Sequence, residues 1–269
     1  MDRSIQNYLI DQNWSSYTDQ QHDIWSTLFH RQHDILQGRA VEEFLDGVDH
    51  LGIEPNKIPN FEELSDILTK ATGWKIVAVP GLVPDDIFFT LLANRCFPST
   101  CFIRRLDQLD YLQEPDIFHD IYGHVPLLIQ PIFADYMEAY GKAGLKAVGN
   151  HSLHYLARLY WYTVEFGLIN TPKGLRIYGS GIVSSAGESK YCLEDQTPNR
   201  LWFDSMRVMR TNYKIDDFQE TYFVVSSFDD LIKATTQDFM ETYDLLKHQS
   251  DFEPNQVLLD DRPYIANPI

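Results

Sequence analysis

Two histidines five positions apart, His119 and His124, lie in the stretch PDIFHDIYGHVP. Asp116 precedes the first, Asp120 directly follows it, and Gly123 stands beside the second. Imidazoles this close invite a metal ion, yet a regular α-helix presents two histidines on one face at a spacing of four. Five residues at about 100° each set the side chains roughly 140° apart. Pro126 disfavours helical geometry at Val125, and Gly123 is an easy point for a helix to unwind. The expectation is therefore that His119 sits on the last ordered turns and His124 on a frayed end that swings back.

The third candidate, Glu165, stands in LYWYTVEFGLI, which holds no other ionisable group except tyrosine phenols. A carboxylate in such surroundings is costly unless its charge is compensated. Arg158, seven residues back, is a poor partner, because two helical turns separate the Cα atoms by roughly 10 Å. A distant arginine could pair with it, and a directly bound cation also removes the cost. Two imidazoles and one carboxylate form the facial set that suits non-haem Fe(II), with three positions left open. Zinc accepts the same ligands with a water as the fourth. Asp120 would then be the base of a hydrolase, although it is a methylene shorter than the glutamate of HExxH. A non-catalytic binding protein is a third reading.

The elements that must position these residues are mainly helical. TDQQHDIWSTLFHRQHDIL, RAVEEFLDGVDHL and NFEELSDILTKATG have helical spacing, with Gly38 and Gly73 as stops and Asn60 as a cap. WKIVAVP and STCFIRR read as strands on either side of a helix in PDDIFFTLLANRCF. PIFADYMEAYGKAGLKAV and SLHYLARLYWYTVEFGLI read as two long helices, the second apolar nearly all round at its end and hence buried. LRIYGSGIVSS and YFVVSSF read as short strands, and FDDLIKATTQDFMETYDLL as one late amphipathic helix. The fold class is α+β, predominantly helical, with a polar arm over 1–17 and a single catalytic domain over 18–269.

Composition narrows the function. The chain has 269 residues, 44% of them hydrophobic, and a formal charge of -17. That charge argues against nucleic acid, whose binding needs clustered Lys and Arg. Three cysteines, Cys96, Cys101 and Cys192, are too few and odd in number for a disulfide framework. MDRSIQNYLIDQNW lacks the apolar core of a signal peptide, and no apolar run is long enough to span a membrane. These features point to a cytoplasmic protein with no membrane association.

With these residues in view, the chain resembles the pterin-dependent aromatic amino acid hydroxylases, especially their short bacterial members. PDIFHDIYGHVP is similar to the family's two-histidine segment and WYTVEFGL to its carboxylate segment. Agreement continues through VPGLVPDDIFFTLLANRCFPSTCFIR and YGSGIVSSAGESKYCL, from about Trp74 to Phe228. The resemblance implies a helical catalytic domain that holds Fe(II) through His119, His124 and Glu165. It implies hydroxylation of L-phenylalanine to L-tyrosine with tetrahydrobiopterin and dioxygen, by way of a high-valent iron-oxo species. Such chemistry is required because a benzene ring offers no acidic proton and no leaving group.

The resemblance also assigns positions. Arg104 matches the arginine that clamps the substrate carboxylate, a task suited to a guanidinium fork, and Asp116 matches an acid that organises the site. On the residues alone, Arg104 reads first as a surface ion pair, and Asp116 equally as a helix cap. Ser184 matches a serine beside the first histidine. Tyr111, Pro115, Trp161 and Gly181 match other substrate contacts. Phe88 matches the residue that stacks on the pterin, with Gly81, Leu82, Asp120, Ala157 and Tyr160 as further cofactor contacts. Asp120 departs from the glutamate common in the family, which puts its contact in doubt. Ile215 stands where tyrosine-hydroxylating relatives carry an acid, which favours phenylalanine. There is no room for the regulatory domain of animal members, and the tail after Leu246 shows no sustained heptads, so a monomer is expected.

Overall fold

Thr18 opens the first long helix because two backbone donors find partners there. Its Oγ1 accepts from the Gln21 N–H at 3.3 Å, and Gln21 Oε1 accepts in return from the Thr18 N–H at 2.9 Å, a reciprocal cap. The computed structural model describes residues 3–110, 112 and 114–265. A short helix α1 (Arg3–Gln6) precedes α2 (Asp19–Leu36), α3 (Glu42–His50) and α4 (Phe61–Ala71). Asn60 caps α4 as expected, its Oδ1 accepting from the Glu62 N–H at 2.8 Å. Ile5 of α1 is buried with Ile87, Leu91 and Cys96.

Strand β1 (Lys75–Val79), helix α5 (Asp85–Ala93) and strand β2 (Cys96–Thr100) form a βαβ unit whose strands pair in parallel. The second strand was expected at STCFIRR and begins three residues earlier. Pro98 lies inside it opposite Val77, which a two-stranded sheet tolerates because both strands are edges.

Helices α6 (Pro131–Gly149) and α7 (Leu153–Tyr160) follow. The helical path that was expected to run to Ile169 ends at Glu165, and Leu168–Thr171 is strand β3 instead. Strand β4 (Gly174–Ile177), helices α8 (Ser180–Val183) and α9 (Glu188–Glu194), strand β5 (Asn199–Trp202), helix α10 (Ser205–Met209) and strand β6 (Thr221–Val225) come next. They build a mixed sheet in the order β4-β3-β6-β5, with only β3 and β4 antiparallel. LRIYGSGIVSS is thus strand and then helix. The late amphipathic helix is two, α11 (Phe228–Thr236) and α12 (Met240–Leu246). Asp238 restarts the second by accepting from the Met240 N–H at 3.0 Å.

One core joins these layers. Trp25 of α2 meets Phe118 edge-on, with ring centroids 5.3 Å apart, and Phe118 stacks on Tyr122 at 4.9 Å. The segment that carries the two histidines is therefore anchored by its own aromatic residues.

Candidate active site and metal centre

Phe118–His124 is a π-helix, and so is Trp161–Glu165 at the end of α7. This corrects the expectation of a frayed end. A π-helix bonds residue i to i+5, so the fifth side chain stands beside the first. The spacing of five that an α-helix splays apart is thereby brought onto one face. In the second segment the Phe166 N–H reaches the Trp161 carbonyl at 2.8 Å, a direct i+5 bond. π-Turns are rare and concentrate at functional sites.

Two glycines let these segments meet. A Cβ at Gly179 would stand 2.4 Å from the Glu165 carbonyl oxygen, and one at Gly123 would stand 2.9 Å from the Ser180 carbonyl oxygen. Side chains there would push apart the π-helices and the start of α8.

His119 Nε2 and His124 Nε2 are 3.1 Å apart. Glu165 Oε1 lies 3.2 Å from His124 Nε2, and Oε2 lies 3.7 Å from His119 Nε2. All three donor groups fall within 4.8 Å of one another. Donors held about 2.1 Å from one ion stand roughly 3.0 Å apart in cis-octahedral geometry and 3.4 Å apart in tetrahedral geometry. The three side chains thus fit a single divalent cation.

Their protonation fits as well. Burial presses the His119 ring down to about 4 despite the pull of Glu165, so it is a neutral donor. Burial opposes ionisation of Glu165, but His124, His119 and the Ser180 hydroxyl outweigh it and hold the carboxyl at about 2. Ser180 Oγ lies 2.9 Å from Glu165 Oε2. Ser184 Oγ donates to the Ser180 carbonyl at 2.7 Å, so it must accept from His119 Nδ1–H at 2.9 Å. That bond fixes the tautomer and leaves Nε2 free to ligate.

A cavity of about 610 Å³ opens beside the triad and is lined by His119, Glu165, Arg104, Pro115, Trp161 and Ser184, among others. Arg104 is not at the surface: it is 7% exposed and paired with the fully buried Asp116. Arg104 Nε donates to Asp116 Oδ2 at 2.9 Å and Nη2 to Oδ1 at 2.8 Å. Asp116 Oδ1 also accepts from the His119 N–H at 3.1 Å, so one carboxylate both orients the arginine and caps the histidine segment. Gly181 and Leu82 line the same cavity. Tyr111 lies outside the described residues.

The other expected cofactor positions, Phe88, Gly81, Ala157 and Tyr160, do not line that cavity. Tyr160 lies with its ring centroid 6.4 Å from His124 and 6.0 Å from Phe88. Ala157 is on α7, less than one turn before Tyr160, and Gly81 adjoins Glu114. Asp120 turns elsewhere: its Oδ2 accepts from Thr100 N–H at 2.7 Å and Thr100 Oγ1 at 2.9 Å. Burial raises its carboxyl to about 7, and it does not line the cavity. It is not placed as the base of a hydrolase. Ser180 and Thr100 were missed in the sequence, because nothing in the spacing of a lone hydroxyl marks which distant carboxylate it will meet.

The family model of biopterin-dependent aromatic amino acid hydroxylases matches residues 7–256. The chain belongs to this family. A phenylalanine-4-hydroxylase from Caulobacter vibrioides is 55% identical over 95% of this chain and 87% of its own length. One from Ralstonia nicotianae is 58% identical over 89% of this chain and 77% of its own. Among solved structures, the iron- and phenylalanine-bound enzyme of Chromobacterium violaceum superposes with a TM-score of 0.92 at 52% identity, covering 96% of this chain and 94% of that one. Its cobalt-bound form gives 0.94 at 54% identity, over 96% and 93%. The chain is a pterin-dependent hydroxylase of helical α+β fold.

Proposed function

We propose that this hydroxylase is a phenylalanine 4-monooxygenase, converting L-phenylalanine to L-tyrosine with dioxygen and tetrahydrobiopterin at an Fe(II) site. The observation that carries the reading is the His119–His124–Glu165 triad, with its donors within 4.8 Å, opening on a cavity that also holds a buried guanidinium. When bound, the iron and the reduced pterin supply from dioxygen the electrophilic oxygen that no side chain can provide.

The protein's own work is positioning. Arg104 commits one edge of its guanidinium to Asp116 and reaches the Leu109 carbonyl from Nη1 at 3.4 Å, and the remaining Nη1 and Nη2 hydrogens are left for the amino acid's carboxylate. Pro115, Trp161 and Gly181 wall the ring pocket. Ser184 holds the Nδ1 proton of His119, which would leave the Nε2 lone pair free for the metal. Phe88 and Tyr160 offer aromatic faces to the flat pterin, with Gly81, Leu82 and Ala157 around it, while Asp120 accepts from Thr100 instead.

A monomer in the cytoplasm, with residues 1–17 as an arm on a catalytic domain over 18–269, completes the proposal. The charge of -17 supports separation between copies and disfavours a phosphate-backbone partner. Among the described residues no helix is long and apolar enough to cross a membrane. Iron-loaded protein given phenylalanine, a tetrahydropterin and air should form tyrosine. Folded, iron-replete protein that hydroxylates no phenylalanine would overturn the reading.

A further inference from the structure

Gln219 is a buried amide, 2% exposed, on the border of the active-site cavity just before β6. Its Oε1 accepts from the Trp161 indole N–H at 2.9 Å. Its Nε2 donates to the Lys214 carbonyl at 2.8 Å and to that of Asp217 at 3.4 Å. An indole nitrogen only donates and a carbonyl only accepts, so the amide is locked in one orientation. The two ends serve different parts of the cavity. Trp161 is a wall, stacked on Tyr213 with centroids 4.3 Å apart and one turn before Glu165. Residues 214–217 form the lip and carry Ile215, which lines the cavity and is largely solvent-exposed. The Gln219 main chain is itself pinned, since its N–H donates to Glu188 Oε1 at 3.1 Å.

We propose that Gln219 is a specificity-setting positioning residue that bridges Trp161 to the 214–217 lip and so fixes the width of the ring pocket. Severing either end frees the lip from the wall. The pocket then loses its grip on a phenyl ring and gains room for the larger indole of tryptophan. The inference rests on the reading of the cavity as an aromatic amino acid site.

The experiment compares wild type with Gln219→Met, which keeps the length of the side chain and loses the bonds at both ends, and with Gln219→Glu, which keeps an acceptor for the indole. Binding of L-phenylalanine and L-tryptophan to iron-loaded protein is measured by calorimetry, alongside kcat and KM for each. In Gln219→Met the preference for phenylalanine over tryptophan should fall about tenfold, the scale of one or two lost hydrogen bonds. The change should appear in binding and KM, with kcat for phenylalanine and iron content within about twofold of wild type. In Gln219→Glu, which cuts the lip end alone, the fall should be as large. In a Trp161→Phe background, where the bridge is already cut, Gln219→Met should add at most about twofold. A lower melting temperature with an unchanged preference means a structural role alone and overturns the inference, as does full additivity of the two substitutions. Wild type that binds phenylalanine selectively and forms no product would sink the proposed activity, while the binding ratios would still decide the role of Gln219.

Discussion

Burial opposes the charge on Glu165, but His124, His119 and the Ser180 hydroxyl outweigh it, and a cation shared with the two imidazoles would compensate the charge. The singularity of Glu165 among LYWYTVEFGLI was legible in the sequence. Ser180 was not, since it reaches the carboxylate from a separate element. Glu165→Ala should therefore lower iron affinity at least about 100-fold, while the metal-free protein melts within a few degrees of wild type. Iron content after gel filtration, set beside the apo melting curve, checks both halves. Arg104 is the opposite case, since its burial could not be read from CFIRR, where a surface pair was the favoured reading. Fully buried Asp116 depends on it. Arg104→Ala should cost about 3–5 kcal/mol of stability by stranding that carboxylate and should raise KM for phenylalanine at least about tenfold. Adding Asp116→Asn should recover part of the melting temperature and none of the phenylalanine affinity. Recovery of both would assign Arg104 to structure alone.

At the scale of elements, the histidine spacing predicted a distortion and misplaced its kind. Periodicity records which residues are apolar, and it is blind to whether a turn closes on i+4 or i+5. Pro126 and Gly123 were read as places to fray, yet Val125 keeps helical angles and bonds back to Ile121 at 3.3 Å. The cap at Asn60 was legible because it is local chemistry. The start of β2 was not, because a strand is defined by its partner. The tightness of the Gly123 contact gives this scale its prediction. Gly123→Ala puts a methyl 2.9 Å from a backbone oxygen that cannot rotate away, so the π-helix or the start of α8 must move. A loss of about 1–3 kcal/mol follows, which lowers the melting temperature by about 2–4 °C per kcal/mol in a chain of this size. Iron affinity should fall with it, since the same contact aligns His124 with Glu165. A variant that melts low and binds iron as tightly as wild type would uncouple the packing from the site.

At the scale of the whole molecule, the helical α+β class was legible from many short apolar patterns. How the layers are tied together was not, because the ties are single buried polar groups contributed by distant segments. Glu188 is one of these. It stands at the start of α9, accepts from Tyr222 of β6 at 2.7 Å and from the Gln219 N–H at 3.1 Å, and is almost fully buried. Burial is the main cause that raises its carboxyl from 4.5 to about 7, with Asp217 adding to the rise and Tyr222 and Gln219 opposing it. Cys192 and Tyr191 also face it, and both are uncharged at neutral pH. Between pH 4.5 and 7 the folded protein holds a proton at this site that the unfolded chain has released, so this group makes the fold less stable as pH rises through that window. Above pH 7 both states are ionised and the cost is constant. Glu188→Gln keeps a carbonyl for both donors and removes the titration. Its melting temperature should match wild type near pH 4.5 and draw ahead as pH increases, levelling off above pH 7 at a gain of up to about 3 kcal/mol. Melting curves of both proteins across pH 4.5 to 8, at equal iron occupancy, test this, and a difference that stays flat across the range would mean that Glu188 ionises in the fold as it does in the open chain.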